Sequence, residues 1–266
     1  MCRLMALKAT EPVPMYRFLI GGDNAFAVQS LEHPDGWGIA YHEGDEPSLV
    51  KSVLPAITDE LFEEVAFSVK ASTVLAHVRR ATAGVVARRN CHPFRRGPWV
   101  FAHNGKIAGW DQIKDALIAR VGPALRTTLE GETDTEVFFL LFLTHLGSQA
   151  SLDDRHPPPA VVANAMSRAV AEVRAVADQA CAGGAHAEAS LLTCIASSGA
   201  MMMAVSSGKP LSVRRSSGEG PSRQVMFSSE AVSTPGLIRE RFPWRELVTD
   251  EYVVVDRDLV ITSGSL

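Results

Sequence analysis

Cysteine is scarce in this chain: four in 266 residues (Cys2, Cys91, Cys181 and Cys194), far apart and without a C-x-x-C pair. Such spacing makes a poor disulfide framework and fits a reducing compartment. Long hydrophobic runs are missing as well. The most apolar stretch, VFFLLFL from Val137 to Leu143, is too short to span a bilayer. The first residues, MCRLMALKAT, lack the basic-then-apolar order of a secretory signal, and no hydrophobic segment precedes Cys2 as a lipoprotein would require. The expected location is cytoplasmic, with no membrane partner. Excess positive charge is absent too. Lys and Arg number 26 against 30 Asp and Glu, a net charge of −4. That argues against nucleic acid, whose binding leans on neutralising phosphates. No internal repeat is visible.

What is present is a globular composition, 46% hydrophobic and 21% charged, in a length that fits one large domain or two small ones. CRLMALKA reads as a strand starting almost at the terminus, and DGWGIAYH (35–42) as a glycine-bearing turn feeding another. Residues 59–70 place Leu61, Phe62 and Val65 on one helical face. TVLAHVR (73–79) and WVFAHNG (99–105) read as strands, with Asn104-Gly105 a tight-turn signal. Helices follow at 111–122, from a capping Thr133 to Gly147, and over about 160–180. GSQASLDDRHPPP is a surface loop whose prolines break any helix. The last third (SLLTCIAS, AMMMAVSS, PLSVRR, QVMFSSE, YVVVDRDLVIT) reads as strands and hairpins, with SSGEGPSR a mobile loop. Strands, then helices, then strands predict an α+β fold. The change of character near residue 148 suggests a boundary, but the later strands look too few and too short for a separate core. One domain over residues 2–266 is expected.

Four short stretches carry chemistry. Removal of Met1 would leave Cys2 with a thiol and a free α-amine on one residue. An amine of pKa about 7.7–8.0 can serve as base for a thiol near 8.5, so nucleophile and base are joined covalently. The plainer alternative is a buried cysteine in an edge strand. Asn104 and Gly105 can supply an amide and a backbone N–H to an oxyanion, or simply form a hairpin turn. Arg79, at the end of a strand, can pair bidentately with a carboxylate, helped by hydrogen bonds from Thr82, or be one of two solvated arginines. Asp134 opens a helix, where a carboxylate suits the dipole, and it can also hold an ammonium group. Taken together they describe a site for a γ-glutamyl amide.

In that order, MC at the N-terminus, DGWGIAY, HVRRATAG, NCHPF, HNG and GETDTE resemble the class II glutamine amidotransferase family over about residues 2–145, with a weaker echo at FSSEAVS (227–233). The likeness is greatest to stand-alone members, including predicted amidotransferases and the γ-glutamyl hydrolase of ergothioneine synthesis. The resemblance implies a four-layer αββα sandwich of the N-terminal-nucleophile hydrolase type. By motif, it makes Cys2 the nucleophile with its own amine as base, and Asn104 and Gly105 the oxyanion hole. Arg79 would bind the substrate α-carboxylate and Asp134 the α-amine, with Thr82 and the Asp35–Gly38 loop lining the pocket. It implies no cofactor. The expected partner is a small γ-glutamyl substrate such as glutamine, with a separate synthase subunit as a possible second. Arg3, Arg80 and Ala83 stand where synthase-linked members usually have Gly, Trp and His.

Other signals point less far. His33, His77, His92 and His103, with Cys91, fit no zinc ligand spacing, so no metal is expected. RRNCHPFRR (88–96) reads as a solvated basic loop, with an anionic substrate group the sharper alternative, and Met201–Met203 as core filling in a strand. The expected activity is hydrolysis of a γ-glutamyl amide through a thioester on Cys2. The alternatives are a glutaminase subunit delivering ammonia to a separate synthase, and a non-catalytic binding module of the same fold.

Overall fold

The structure, a computed structural model, describes residues 2–21, 24–44, 46–181, 188–216, 223–230 and 243–266. The chain opens with β1 (Arg3–Pro14), α1 (Tyr16–Leu19), α2 (Phe26–Gln29), β2 (Trp37–His42), β3 (Pro47–Ser52), α3 (Glu60–Ser68) and β4 (Lys70–Val78). The middle holds β5 (Phe94–Arg96), β6 (Trp99–Lys106), α4 (Trp110–Ile118), α5 (Pro123–Arg126), α6 (Asp134–Gly147) and α7 (Pro159–Cys181). After these come β7 (Leu191–Ser197), β8 (Met202–Ser206), β9 (Ser212–Ser216), β10 (Gln224–Ser228), β11 (Arg245–Glu246), β12 (Glu251–Val255) and β13 (Ile261–Ser265).

The strands form two antiparallel sheets, ordered β11-β9-β10-β1-β4-β2-β3 and β13-β12-β8-β7-β6-β5. Side-chain alternation explains the layering, because successive residues of a strand face opposite sides. On β1, Leu4 and Ala6 join Val100, Ala102, Ile195 and Met202 in the core between the sheets. Met5 and Leu7 point the other way, onto Phe18, Phe26, Phe62 and Val65 beneath the first sheet's helices. Phe101, Cys194 and Met203 of the second sheet pack on α4, α6 and α7 through Ile113, Phe138, Phe142 and Met166. The result is helix, sheet, sheet, helix, the expected αββα order. Every side chain from Val137 to Leu143 is buried: the apolar run is a helix covered on all faces, as such a helix must be. No helix among the described residues is long and apolar enough to cross a membrane.

Three expectations are corrected. Asn104-Gly105 is not a turn: both residues lie within β6, opposite Thr193 and Leu192 of β7. A Cβ on Gly105 would stand 1.9 Å from the Leu191 carbonyl oxygen, so this glycine serves a close strand approach. Leu61 is 39% exposed, because the Asp59 side chain accepts the Leu61 N–H and sets α3 so that Phe62, Val65 and Ala66 face the sheet. The basic run 88–96 is no solvated loop. It contains a 3-10 turn and β5, with Arg89 paired to Glu132, Arg95 to Glu46 and Arg96 to the buried Glu136. Strands β3 and β5 were not expected at all. Residues 217–222 of the serine- and glycine-rich loop and 231–233 of FSSEAVS lie outside the described residues.

Candidate functional site

Cys2 sits one residue before β1, in the middle of the first sheet, where Arg3 pairs with Val78 at the end of β4. That register brings the thiol to the backbone just beyond β4. The Cys2 sulfur accepts the Arg80 N–H at 3.3 Å and lies 3.4 Å from the Arg80 carbonyl oxygen, to which its S–H can donate. By strand parity Cys2 faces the inter-sheet side with Leu4 and Ala6. Burial pushes the thiol pKa up, and the Arg80 N–H and the Arg79 charge offset only part of that rise.

Arg79 is 3% exposed, and its guanidinium donates to the carbonyls of Ala83 (2.8 Å), Gly84 (3.3 Å) and Val85 (3.4 Å). This side chain therefore shapes the loop after β4 around itself, with N–H groups to spare. Thr82 is on that loop. Asp134 occupies the first turn of α6, whose N-cap Thr133 accepts the Glu136 N–H. The Asp134 carboxylate accepts the N–H of Ile107 on Oδ2 and of Thr135 on Oδ1, both at 2.8 Å, and the helix N-terminus favours its charge.

Five of the six expected site residues, Cys2, Arg79, Thr82, Gly105 and Asp134, line one small pocket together with His92 and His103. Asn104 is not on its wall. It is 4% exposed, by strand parity faces the inter-sheet side like Ala102, and its Oδ1 has no hydrogen-bond partner. The Asp35–Gly38 loop does not line the pocket, a further correction. Its Gly36 and Gly38 pass too close to Ser52 and His92 to admit a side chain, with Cβ positions 2.6 and 2.2 Å from their carbonyl oxygens. The pocket has room for about one water molecule. Beyond the wall formed by Thr82, Ala83, Thr133 and Asp134 opens a cleft of about 690 Å³, bordered by Lys106, Trp110 and Lys114.

Sequence reasoning missed the backbone of Arg80 as the thiol's partner, and it missed His92, His103, Thr133 and Thr135 as pocket walls. GETDTE did hold a signal for Thr133 as a cap, but none for Thr135 as a wall. The histidines are buried and neutral. His77 packs against His92 with the rings tilted at 40° and 4.2 Å between centroids, and burial lowers its pKa to about 3. Among the described residues no group of three or more His, Cys, Asp or Glu side chains is placed to hold a metal ion.

Two sheets between helices, with a thiol at the head of a central strand and a basic and an acidic residue in front of it, define a class of protein, and comparison agrees. The family model for class II glutamine amidotransferases matches residues 1–218. The chain belongs to that family. It is 30% identical over 212 residues to the probable glutamine amidotransferase DUG3 of Saccharomyces cerevisiae, covering 72% of this chain and 59% of that protein. It is 31% identical over 151 residues to the putative glutamine amidotransferase YafJ of Escherichia coli, covering 55% of each. A γ-glutamyl-hercynylcysteine sulfoxide hydrolase of Mycobacterium tuberculosis is 30% identical over 118 residues, 44% of this chain and 48% of that one. The chain thus spans roughly half the length of the curated relatives it matches. Among solved structures, a class II domain protein from Silicibacter pomeroyi superposes with a TM-score of 0.67 at 23% identity, over 99% of this chain and 98% of that one. Glutamine phosphoribosylpyrophosphate amidotransferase from Bacillus subtilis gives 0.63 at 17% identity, over 99% and 49%. At those identities the likeness concerns the fold alone, an αββα sandwich.

Proposed function

We propose that the protein is an N-terminal cysteine amidohydrolase that cleaves a γ-glutamyl amide, glutamine or a larger relative, through a γ-glutamyl thioester. The observation that carries this reading is the convergence of Cys2, Arg79, Gly105 and Asp134 on one pocket. With Met1 removed, the Cys2 amine takes the thiol proton and the sulfur attacks the amide carbon. The Gly105 N–H and the Asn104 amide are the groups available to the oxyanion. Collapse of the tetrahedral adduct expels the amine, which leaves with the proton held by the Cys2 nitrogen. Water, deprotonated by the same nitrogen, then hydrolyses the thioester to glutamate and the free thiol. Arg79 binds the α-carboxylate, Asp134 the α-ammonium and Thr82 the same end of the substrate. Since the pocket is nearly filled, entry requires the loop after Arg79 to move. The reaction needs no cofactor, and the unpaired thiols of Cys2, Cys91 and Cys194 suit the cytoplasm.

Glutamate release from a panel of γ-glutamyl amides tests the reading, with a covalent glutamyl adduct on Cys2 sought by intact mass after acid quench. Release from glutamine that rises when a synthase co-purifies would favour ammonia delivery. No release and no adduct from a protein that begins at Cys2 would leave a binding module. Arg89, Arg95 and Arg96 are tied to Glu132, Glu46 and Glu136, which argues against the alternative that the basic run meets an anionic substrate group.

A further inference from the structure

The mechanism above leaves His103 unused, although it is 1% exposed and borders the pocket. Its Nε2 lies 2.7 Å from the carbonyl oxygen of Leu191, an atom that can only accept, so Nε2 carries the ring hydrogen. Burial holds the ring neutral by lowering its pKa from the ordinary 6.5, an effect that nearby Asp134 opposes. A neutral ring protonated on Nε2 presents a bare Nδ1, and Nδ1 is 3.0 Å from the Thr135 hydroxyl. The same hydroxyl oxygen is 3.3 Å from Asp134 Oδ1. One proton thus has two acceptors, and the shorter path leads to the histidine.

We infer that His103 draws the Thr135 hydroxyl proton to itself and so keeps a lone pair of Asp134 Oδ1 open to a cationic group of the substrate. The inference rests on the reading of Asp134 as the α-ammonium site. Asp134 already accepts one backbone N–H on each oxygen, and a carboxylate offers about four acceptor sites. Were the hydroxyl to turn to Oδ1, it would occupy one of the remaining sites and offset part of the charge that an ammonium group seeks. His103 is a positioning residue: it acts on the substrate through Thr135 and Asp134.

A pair of ligands reads the ammonium site directly. L-glutamine and 4-carbamoylbutanoate share the amide and the carboxylate, and only glutamine has the α-ammonium. In a Cys2→Ala background, which binds without turnover, calorimetric titration of both gives a preference ratio. His103→Phe, which cannot accept the hydroxyl, should lower the preference for glutamine about fivefold. Adding Thr135→Val to it should restore the preference, because no hydroxyl is left to turn toward Asp134. His103→Gln, whose amide oxygen accepts the hydroxyl, should keep it. Should His103→Phe fail to fold by circular dichroism, His103→Leu makes the same test. A double variant as indifferent to the ammonium as the single one would overturn the inference while leaving Asp134 in place. An unchanged ratio in Asp134→Asn would instead overturn the ammonium reading. Failure of the background protein to bind either ligand would overturn both.

Discussion

The carboxylate of Asp35 accepts the backbone N–H of Ala81 at 2.8 Å, and this bond ties the D-G-W-G motif to the loop that carries the pocket. Around it the Asp35 N–H donates to the Arg79 carbonyl at 3.0 Å, and the Arg79 N–H donates to Gly36 at 2.8 Å. These two bonds extend the β2–β4 ladder just far enough to deliver Arg79 and Arg80 to Cys2. The motif braces the site from behind, and Trp37, whose indole N–H donates to Asp59, anchors the brace in the core.

Asp35→Ala should therefore act at a distance. The variant loses a charge-assisted bond to a backbone donor, a cost of about 1–3 kcal/mol in stability. It also frees the loop that holds Thr82 and the carbonyls gripped by Arg79. We expect kcat/KM for γ-glutamyl cleavage to fall by at least tenfold, with Asp35→Asn, which keeps an acceptor, falling less. Urea unfolding and glutamate release measure the two effects separately. Unchanged kinetics in Asp35→Ala would show that the loop needs no brace.

Gly105→Ala should be worse than a typical surface change. Its Cβ would sit 1.9 Å from the Leu191 oxygen and 2.6 Å from His103 Nε2, and the first of these is backbone that cannot step aside. Forcing β6 and β7 apart should cost about 3 kcal/mol or more. The Leu191 contact to His103 should go with it. A melting temperature within two or three degrees of the parent, about the shift that 1 kcal/mol produces in a chain of this size, would contradict the strand register described above.

Much of this arrangement is legible in the sequence, and what is not legible depends on remote partners. The β-branched TVLAHVR and WVFAHNG segments and the Thr133 cap rest on local pattern and form where expected, and the core strand holds Met202 and Met203 with the buried Met201 just before it. Asn104-Gly105 reads as a turn because glycine usually breaks a strand, and only the later approach of β7 reveals why it is there. Strand β3 is a half-buried edge whose pattern is weak, and β5 is only three residues long. The thiol's contacts come from the Arg80 backbone, about which a side-chain motif is silent.

Stability should fall on mild acidification. Burial lowers the pKa of His33 and His42 to about 4 and that of His77 to about 3, while in the unfolded chain all three return to about 6.5. Below pH 6.5 the unfolded state therefore binds more protons than the folded one. The stability of the neutral, buried rings is fully present above about 6.5 and is lost progressively as pH drops toward 4 and 3. Each ring adds up to about 1.4 kcal/mol per pH unit to the slope. Urea midpoints at pH 7.5, 6.0 and 5.0 should decrease in order, and His77→Gln should flatten the trend. A midpoint that stays level from 7.5 to 5.0 would mean that these rings titrate normally in the fold.

The last prediction concerns the α-amine of Cys2. Burial raises the pKa of the thiol, and the Arg80 N–H and the Arg79 charge offset only part of that rise by stabilising the thiolate. Among the groups in contact with the sulfur, the Arg80 backbone can only donate a hydrogen bond or accept one. The nearby histidines are pushed toward weak basicity, His92 well below 6.5. The amine of Cys2 itself, ordinarily at about 7.7–8.0, is the base best matched to the task. Met1 attached would turn that amine into an amide and remove the base while leaving the thiol where it is. A protein that begins at Cys2 should therefore be active, with a rate that rises through the pKa of the amine. The same protein with Met1 retained should lose about two to four orders of magnitude in turnover. Intact mass before and after assay establishes which form is present, and Cys2→Ala sets the background. Equal rates with and without Met1 would rule out the amine as base and leave the sulfur in need of another.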